Sequence, residues 1–119
     1  MKGDIVDLRS RTKKFALRVI RLYSGLPKHT LSQVLGKQIL RSGTSVGANY
    51  REAFRSGSKA EFVAKMGDCL KELEETAYWL ELLCEGNILT AERPFPLMDE
   101  CDQLISIFVA IIKKSKLNS

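Results

Sequence analysis

The chain has 119 residues, 45% of them hydrophobic and 28% charged, with a formal net charge of +5. That size suits one domain spanning residues 1–119 with an adequate core, and that composition excludes a disordered chain. The longest apolar run, Leu104 to Ile112, has about half the length a membrane span requires.

The opening segment, residues 1–14, is charged where a secretory leader needs an apolar stretch, so no leader is expected. Cys69, Cys84 and Cys101 are odd in number and lack a Cys-x-x-Cys pair. They read as core thiols in a reducing compartment, which predicts a soluble, cytoplasmic protein.

Apolar spacing predicts four helices in chain order. The first carries Leu8, Phe15, Val19 and Leu22, with Ala16 and Tyr23 alongside, and ends at Gly25-Leu26-Pro27. The second starts near Thr30 and meets two glycines and three hydroxyls between Ser42 and Asn49, a composition that taken alone suggests a loop. The period nevertheless continues through Leu35, Ile39, Ser42, Val46, Asn49 and Ala53. One helix to about Arg55, bent near Gly43, is therefore expected, its small residues admitting a close neighbour.

Gly57 then turns the chain. The third helix opens on Ser58 with Glu61 three residues on, the arrangement of a capping box. Phe62, Met66, Cys69, Leu73, Thr76, Leu80 and Leu83 form one line of its core face, and Gly86-Asn87 stops it. The fourth enters through Pro94 and Pro96, buries Leu97, Cys101, Leu104, Phe108 and Ile111, and exits at Lys113, Lys114 and Lys116, where cations suit the helix dipole. No segment alternates strictly, so strands are not expected. Short connections favour antiparallel neighbours, and the fold class predicted is an all-α, up-down-up-down four-helix bundle.

Charge is sorted along this plan. Between Arg9 and Lys65 there are 13 lysines and arginines against Glu52 and Glu61 alone. From Met66 to Asp102 there are 10 acids against Lys71 and Arg93. Such a chain either neutralises itself across an interface or offers its basic half to an anion. Arg11, Lys14, Arg18 and Arg21 fall at spacings of three and four on the first helix. Lys37 and Arg41 share a face of the second, as do Arg51 and Arg55 further along. These eight are the candidate nucleic-acid-binding residues, since such stripes can track phosphates. The competing expectation pairs them with acids of the third helix, Glu74, Glu81 and Glu85, within or between subunits. Asn49 and Glu52 are expected as a polar core pair that fixes register or oligomeric state.

The segment Ser45-Val46-Gly47-Ala48-Asn49-Tyr50-Arg51-Glu52-Ala53, followed by Ser58, resembles the signature of the four-helix-bundle family encoded in intervening sequences of bacterial large-subunit ribosomal RNA genes. Lys71-Glu72-Leu73-Glu74-Glu75-Thr76, Tyr78-Trp79-Leu80-Glu81-Leu82-Leu83 and Ile107 to Lys114 are similar to its later helices. The likeness covers nearly the whole chain. It implies an antiparallel bundle that assembles as a homopentamer. The family includes the accessory variability determinant of diversity-generating retroelements, a basic pentamer that associates with nucleic acid and a reverse transcriptase, which makes a reverse-transcriptase-like protein a partner to consider. Ala53 departs from the glycine that many relatives carry after the glutamate.

Catalysis finds no footing in the sequence. His29 is the single histidine, which excludes a di-iron bundle built on Glu-x-x-His pairs. Gly43 and Gly47 lack the lysine and strand of a phosphate-binding loop, and no motif places a base beside Ser45. No metal or other cofactor is expected. Tyr50, Tyr78 and Trp79 are the aromatics that could stack on bases, and adjacent Tyr78 and Trp79 cannot share a face. The reading is a non-enzymatic homo-oligomer that binds RNA or DNA, or a nucleoprotein, through its first two helices. The alternative is a protein–protein scaffold whose charges serve assembly.

Overall fold

Each of the four apolar stripes needs a partner, and packing them against one another dictates the architecture. The computed structural model describes residues 7–89 and 93–118. It contains four helices: α1 Leu8–Ser24, α2 Thr30–Ala53, α3 Lys59–Glu85 and α4 Phe95–Leu117. No strand occurs among the described residues.

Side chains set most helix starts. Asp7 caps α1 by accepting from the Ser10 N–H at 3.0 Å. His29 caps α2, its Nδ1 accepting from the Ser32 N–H at 3.4 Å. Ser58 caps α3, its hydroxyl accepting from the Glu61 N–H at 3.1 Å, while Glu61 reaches back to the Gly57 N–H at 2.6 Å. The reciprocal bond thus falls one residue earlier than in a standard capping box. α3 stops at Gly86, and Asn87 takes a left-handed conformation with φ 56°. The second helix ends at Ala53, two residues short of the expected Arg55, because Arg55 and Ser56 bond to carbonyls only three residues back, the tighter final turn common at helix ends.

Neighbouring helices run antiparallel. Val19 lies against Gly43 and Tyr23 against Gly36; Ser42 meets Thr76 while Glu52 meets Lys65; Cys84 meets Met98 while Cys101 meets Leu73. Arg11 of α1 meets Glu100 of α4, and Arg18 and Arg21 share a cleft with Pro94 and Pro96 at that helix's entry, so the bundle is up-down-up-down.

The glycines of α2 act where α1 approaches. A Cβ on Gly43 would stand 2.7 Å from Val19 Cγ2, and one on Gly36 would stand 2.6 Å from Leu26 Cδ1. Both are too close for carbon, so an alanine at either position would have to displace the side chain it meets. The hydroxyls, whose composition alone suggests a loop, are absorbed without breaking the helix. Thr44 donates to the Leu40 carbonyl and Ser45 to the Arg41 carbonyl, each at 2.7 Å, the back-bonding open to these residues in a helix. The Ser42 hydroxyl is fully buried, 2.6 Å from that of Thr76, which in turn donates to the Glu72 carbonyl at 2.7 Å. Each hydroxyl has one proton, so Ser42 is the donor to Thr76.

The core runs the length of the bundle through Phe15, Val19, Ile39, Val46, Met66, Leu73, Leu80, Leu104 and Phe108. On α2 it takes Tyr50 rather than Asn49. Tyr50 is 5% exposed and sits edge-on to Phe108, 5.8 Å between centroids, and burial pushes its phenol above the ordinary range. The helical period allows either neighbour to face inward, and the larger apolar surface wins. Asn49 and Glu52 are therefore not a polar core pair: Asn49 is half-buried, and Glu52 is exposed and paired with Lys65 of α3 at 2.6 Å. The buried polar pair is Ser42–Thr76, about two helical turns away.

Cys69, Cys84 and Cys101 are buried and free. Burial pushes the Cys69 and Cys101 thiols up to about 12, and Cys101 donates to the Leu73 carbonyl at 3.3 Å. Among the described residues no group of His, Cys, Asp and Glu could hold a metal ion, and no helix is long and apolar enough to cross a membrane.

These features lead to five expectations, measurable by urea denaturation and thiol titration. Gly43→Ala should lower the unfolding free energy by about 1–3 kcal/mol despite alanine's better helix propensity. Gly67→Ala on α3, where a Cβ meets nothing within 4 Å, should raise it by up to about 1 kcal/mol. Thr76→Val strands the Ser42 hydroxyl and should cost about 1–3 kcal/mol, more than Ser42→Ala at about 1. Two thiols held protonated in the fold bind protons that the unfolded chain releases above 9.0, so stability should fall as pH rises from there to about 12. At pH 8 a thiol reagent should reach Cys69 and Cys101 only as fast as the protein unfolds.

Candidate nucleic-acid interface

The eight cations singled out by spacing divide into two classes. Arg11 and Arg41 are held inside the protomer. The Arg11 guanidinium donates to both carboxylate oxygens of Glu100, at 2.7 and 2.9 Å, and to Gln103 at 2.7 Å. Arg41 spans Glu72 at 3.3 Å and Glu75 at 2.7 Å on α3. Hydrogen bonding to Glu100 raises the pKa of Arg11, and hydrogen bonding to Glu75 raises that of Arg41. Surface pairs of this kind contribute about 0–1 kcal/mol each, so their main effect is to fix these side chains across the α1–α4 and α2–α3 seams.

Lys14, Arg18, Arg21, Lys37, Arg51 and Arg55 make no ion pair with another described residue, and all but half-buried Arg18 are exposed. They do not form one surface. Lys14, Arg18 and Arg21 lie on the α4 side of α1, in line with Arg11. Arg51 belongs to a groove on the opposite side, between α1 and α2.

That groove encloses about 360 Å³ and brings in two residues that the spacing argument passed over. Arg9 and Lys13, one turn apart on α1, face Arg51 of α2, and Ala16, Thr44, Gly47 and Ala48 line the space between. A smaller adjoining hollow of about 250 Å³ shares the same three cations and adds Asp7 and Ser10. Gly47 keeps the floor deep, since a Cβ there would stand 3.2 Å from Thr12 Oγ1. Arg9 and Lys13 were legible as a four-residue pair beside the small residues of α2. The stripe through Arg11 has comparable spacing, so spacing alone does not separate the two flanks of α1.

The acids that take up α2's charge are Glu72 and Glu75, not Glu74, Glu81 or Glu85, which are exposed and make no ion pair among the described residues. Of the aromatics, Tyr50 is buried and unavailable for stacking. Tyr78 is exposed and Trp79 half-buried against the core, the division expected of adjacent residues. Apolar side chains are also left exposed in pairs three residues apart, Leu17 with Ile20 on α1 and Leu31 with Val34 on α2.

Comparison with known proteins bears on this geometry. No curated protein matches. Among solved structures, the chain is similar to a protein of unknown function from the S23 ribosomal protein family of Bacteroides thetaiotaomicron VPI-5482. The two are 40% identical over 88% of this chain and 97% of that one, with a TM-score of 0.81. The family model described as 23S rRNA-intervening sequence protein matches residues 6–110, nearly the whole bundle including both walls of the basic groove. The chain therefore belongs to the 23S rRNA-intervening sequence protein family.

Proposed function

We propose that this protein is a non-catalytic homo-oligomer that binds the phosphate backbone of RNA or DNA through the basic surfaces of α1 and α2. The observation that carries the proposal is the α1–α2 groove. Three cations from two helices converge on it, Arg9, Lys13 and Arg51, and none is paired with a carboxylate among the described residues. The groove's floor of alanine, threonine and glycine offers no donor–acceptor pattern for reading base edges, so binding follows charge and backbone shape rather than sequence.

Assembly into an oligomer is supported by the exposed apolar pairs on α1 and α2, which a second subunit would cover. Five is the subunit number that the family resemblance implies. A ring would repeat a weak groove and strengthen it by avidity. The exposed apolar pairs also suit a scaffold that binds only protein, and the salt dependence separates the two readings.

Titration of a structured RNA at several salt concentrations tests the proposal. The logarithm of affinity should fall linearly with the logarithm of salt. Lys13→Gln with Arg51→Gln should reduce the slope by about 2 and weaken binding to every sequence alike. Arg41→Glu, which brings a third carboxylate beside Glu72 and Glu75, should instead lower stability by about 1 kcal/mol and leave the slope unchanged. Undiminished binding by the groove variant, or no binding by the native protein at low salt, overturns the proposal in favour of the scaffold.

A further inference from the structure

Arg93 is out of place in its sequence neighbourhood. From Met66 to Asp102 the chain carries 10 acids, and Arg93 and Lys71 are the only cations. In the fold Arg93 joins neither an acid of α3 nor one of α4 among the described residues. One nitrogen of its guanidinium donates to the Cys84 carbonyl in the last turn of α3, where a cation suits the helix dipole. That anchor fixes Arg93 beside Arg18 and Arg21 of α1.

The three arginines line one open cleft of about 390 Å³ at the entry of α4, walled by Leu22, Pro96 and Leu97. Among the described residues no acidic side chain lines it. α4 also begins without a capping side chain and without an acid in its first turn, so that turn itself offsets none of the positive charge. Three guanidinium groups around one space repel each other unless an anion or water stands between them.

The number and type of these groups define the anion. A guanidinium presents a planar fork that matches two oxygens of a carboxylate or phosphate. Three forks exceed what one carboxylate can accept, and their charge exceeds that of an internal phosphodiester. A phosphomonoester offers three terminal oxygens and about −1.5 to −2 charge at pH 7. We propose that this cleft is a binding site for a phosphomonoester dianion, held by Arg18, Arg21 and Arg93. The site is separate from the α1–α2 groove and does not depend on that groove binding nucleic acid. Two sources carry the same chemistry, the terminal phosphate of a nucleic-acid strand and a free phosphate.

The test compares one oligonucleotide with and without a 5′-phosphate, together with inorganic phosphate as a thermal-shift ligand. If the dianion is a strand end, the phosphorylated oligonucleotide should bind about tenfold more tightly at pH 7.5. That preference should shrink to under about twofold in Arg93→Gln and in Arg18→Gln. It should also fade toward pH 5.5, as the phosphate dianion takes up a proton near pH 6 and becomes a monoanion. If the source is a free phosphate, the two oligonucleotides should bind alike, while inorganic phosphate raises the Tm of the native protein and not that of Arg93→Gln. The proposal is overturned if the native protein shows neither response, or if its responses persist in both variants. Circular dichroism of each variant shows whether a lost response reflects the cleft or the fold, and Arg21→Gln serves in place of a variant that does not fold. Failure here would leave the salt dependence of Lys13→Gln with Arg51→Gln untouched, so the two proposals fail separately.

Discussion

The absence of a Cβ at three points on α2 is the constraint on which the rest of this molecule depends. Gly36, Gly43 and Gly47 let Leu26 with Tyr23, Val19 and Thr12 come within distances that an alanine would forbid or crowd. Close approach of α1 closes the core over Phe15 and Val19 and sets how deep the outer groove lies. Move α1 outward by the width of a methyl group and Val19 loses contact with α2. A Cβ at Gly47 would crowd Thr12 and fill part of the floor between Arg9, Lys13 and Arg51. Packing and surface chemistry therefore share one cause.

The uneven charge along the chain resolves into a division of labour within the protomer. Part of the basic half is spent internally. Arg11 ties α1 to α4, Arg41 ties α2 to α3, and Lys65 meets Glu52 across the same α2–α3 seam. Each pair is weak; core packing sets the rotation of each helix, and the pairs occupy the cations that this rotation brings to the seams. The cations left unpaired include three around a groove on one flank of α1 and two that, with Arg93, surround a cleft on the other. The two differ in shape and chemistry: the first has a small-residue floor open along the helices, while the second ends at the proline-rich entry of α4.

Much of this was legible in the residues because apolar spacing is a strong signal over long helices. The four helices, their capping serine at Ser58 and the stop at Gly86-Asn87 follow directly from local chemistry. The small residues of α2 were correctly read as admitting a close neighbour. Spacing did not resolve phase. Asn49 and Tyr50 both fit the α2 period, and only the space beside Phe108 decides that the ring goes in and Asn49 stays at the edge. Partner choice was equally hidden, since Arg11 and Lys14 look alike on a helical wheel until α4 brings Glu100 to one of them. Arg93 lay beyond any periodic argument, because the turn from α3 to α4 alone carries it to α1.

The central claim is that the basic charge left outside these seams acts on phosphate from an assembled oligomer. The most direct test is the light-scattering mass of the purified protein, alone and with structured RNA, at low and moderate salt. The account predicts a stable mass of five times the 13.4 kDa protomer that takes up RNA at low salt and releases it as salt rises. A mass that never changes with RNA at any salt would contradict it, and would assign the basic residues to assembly alone.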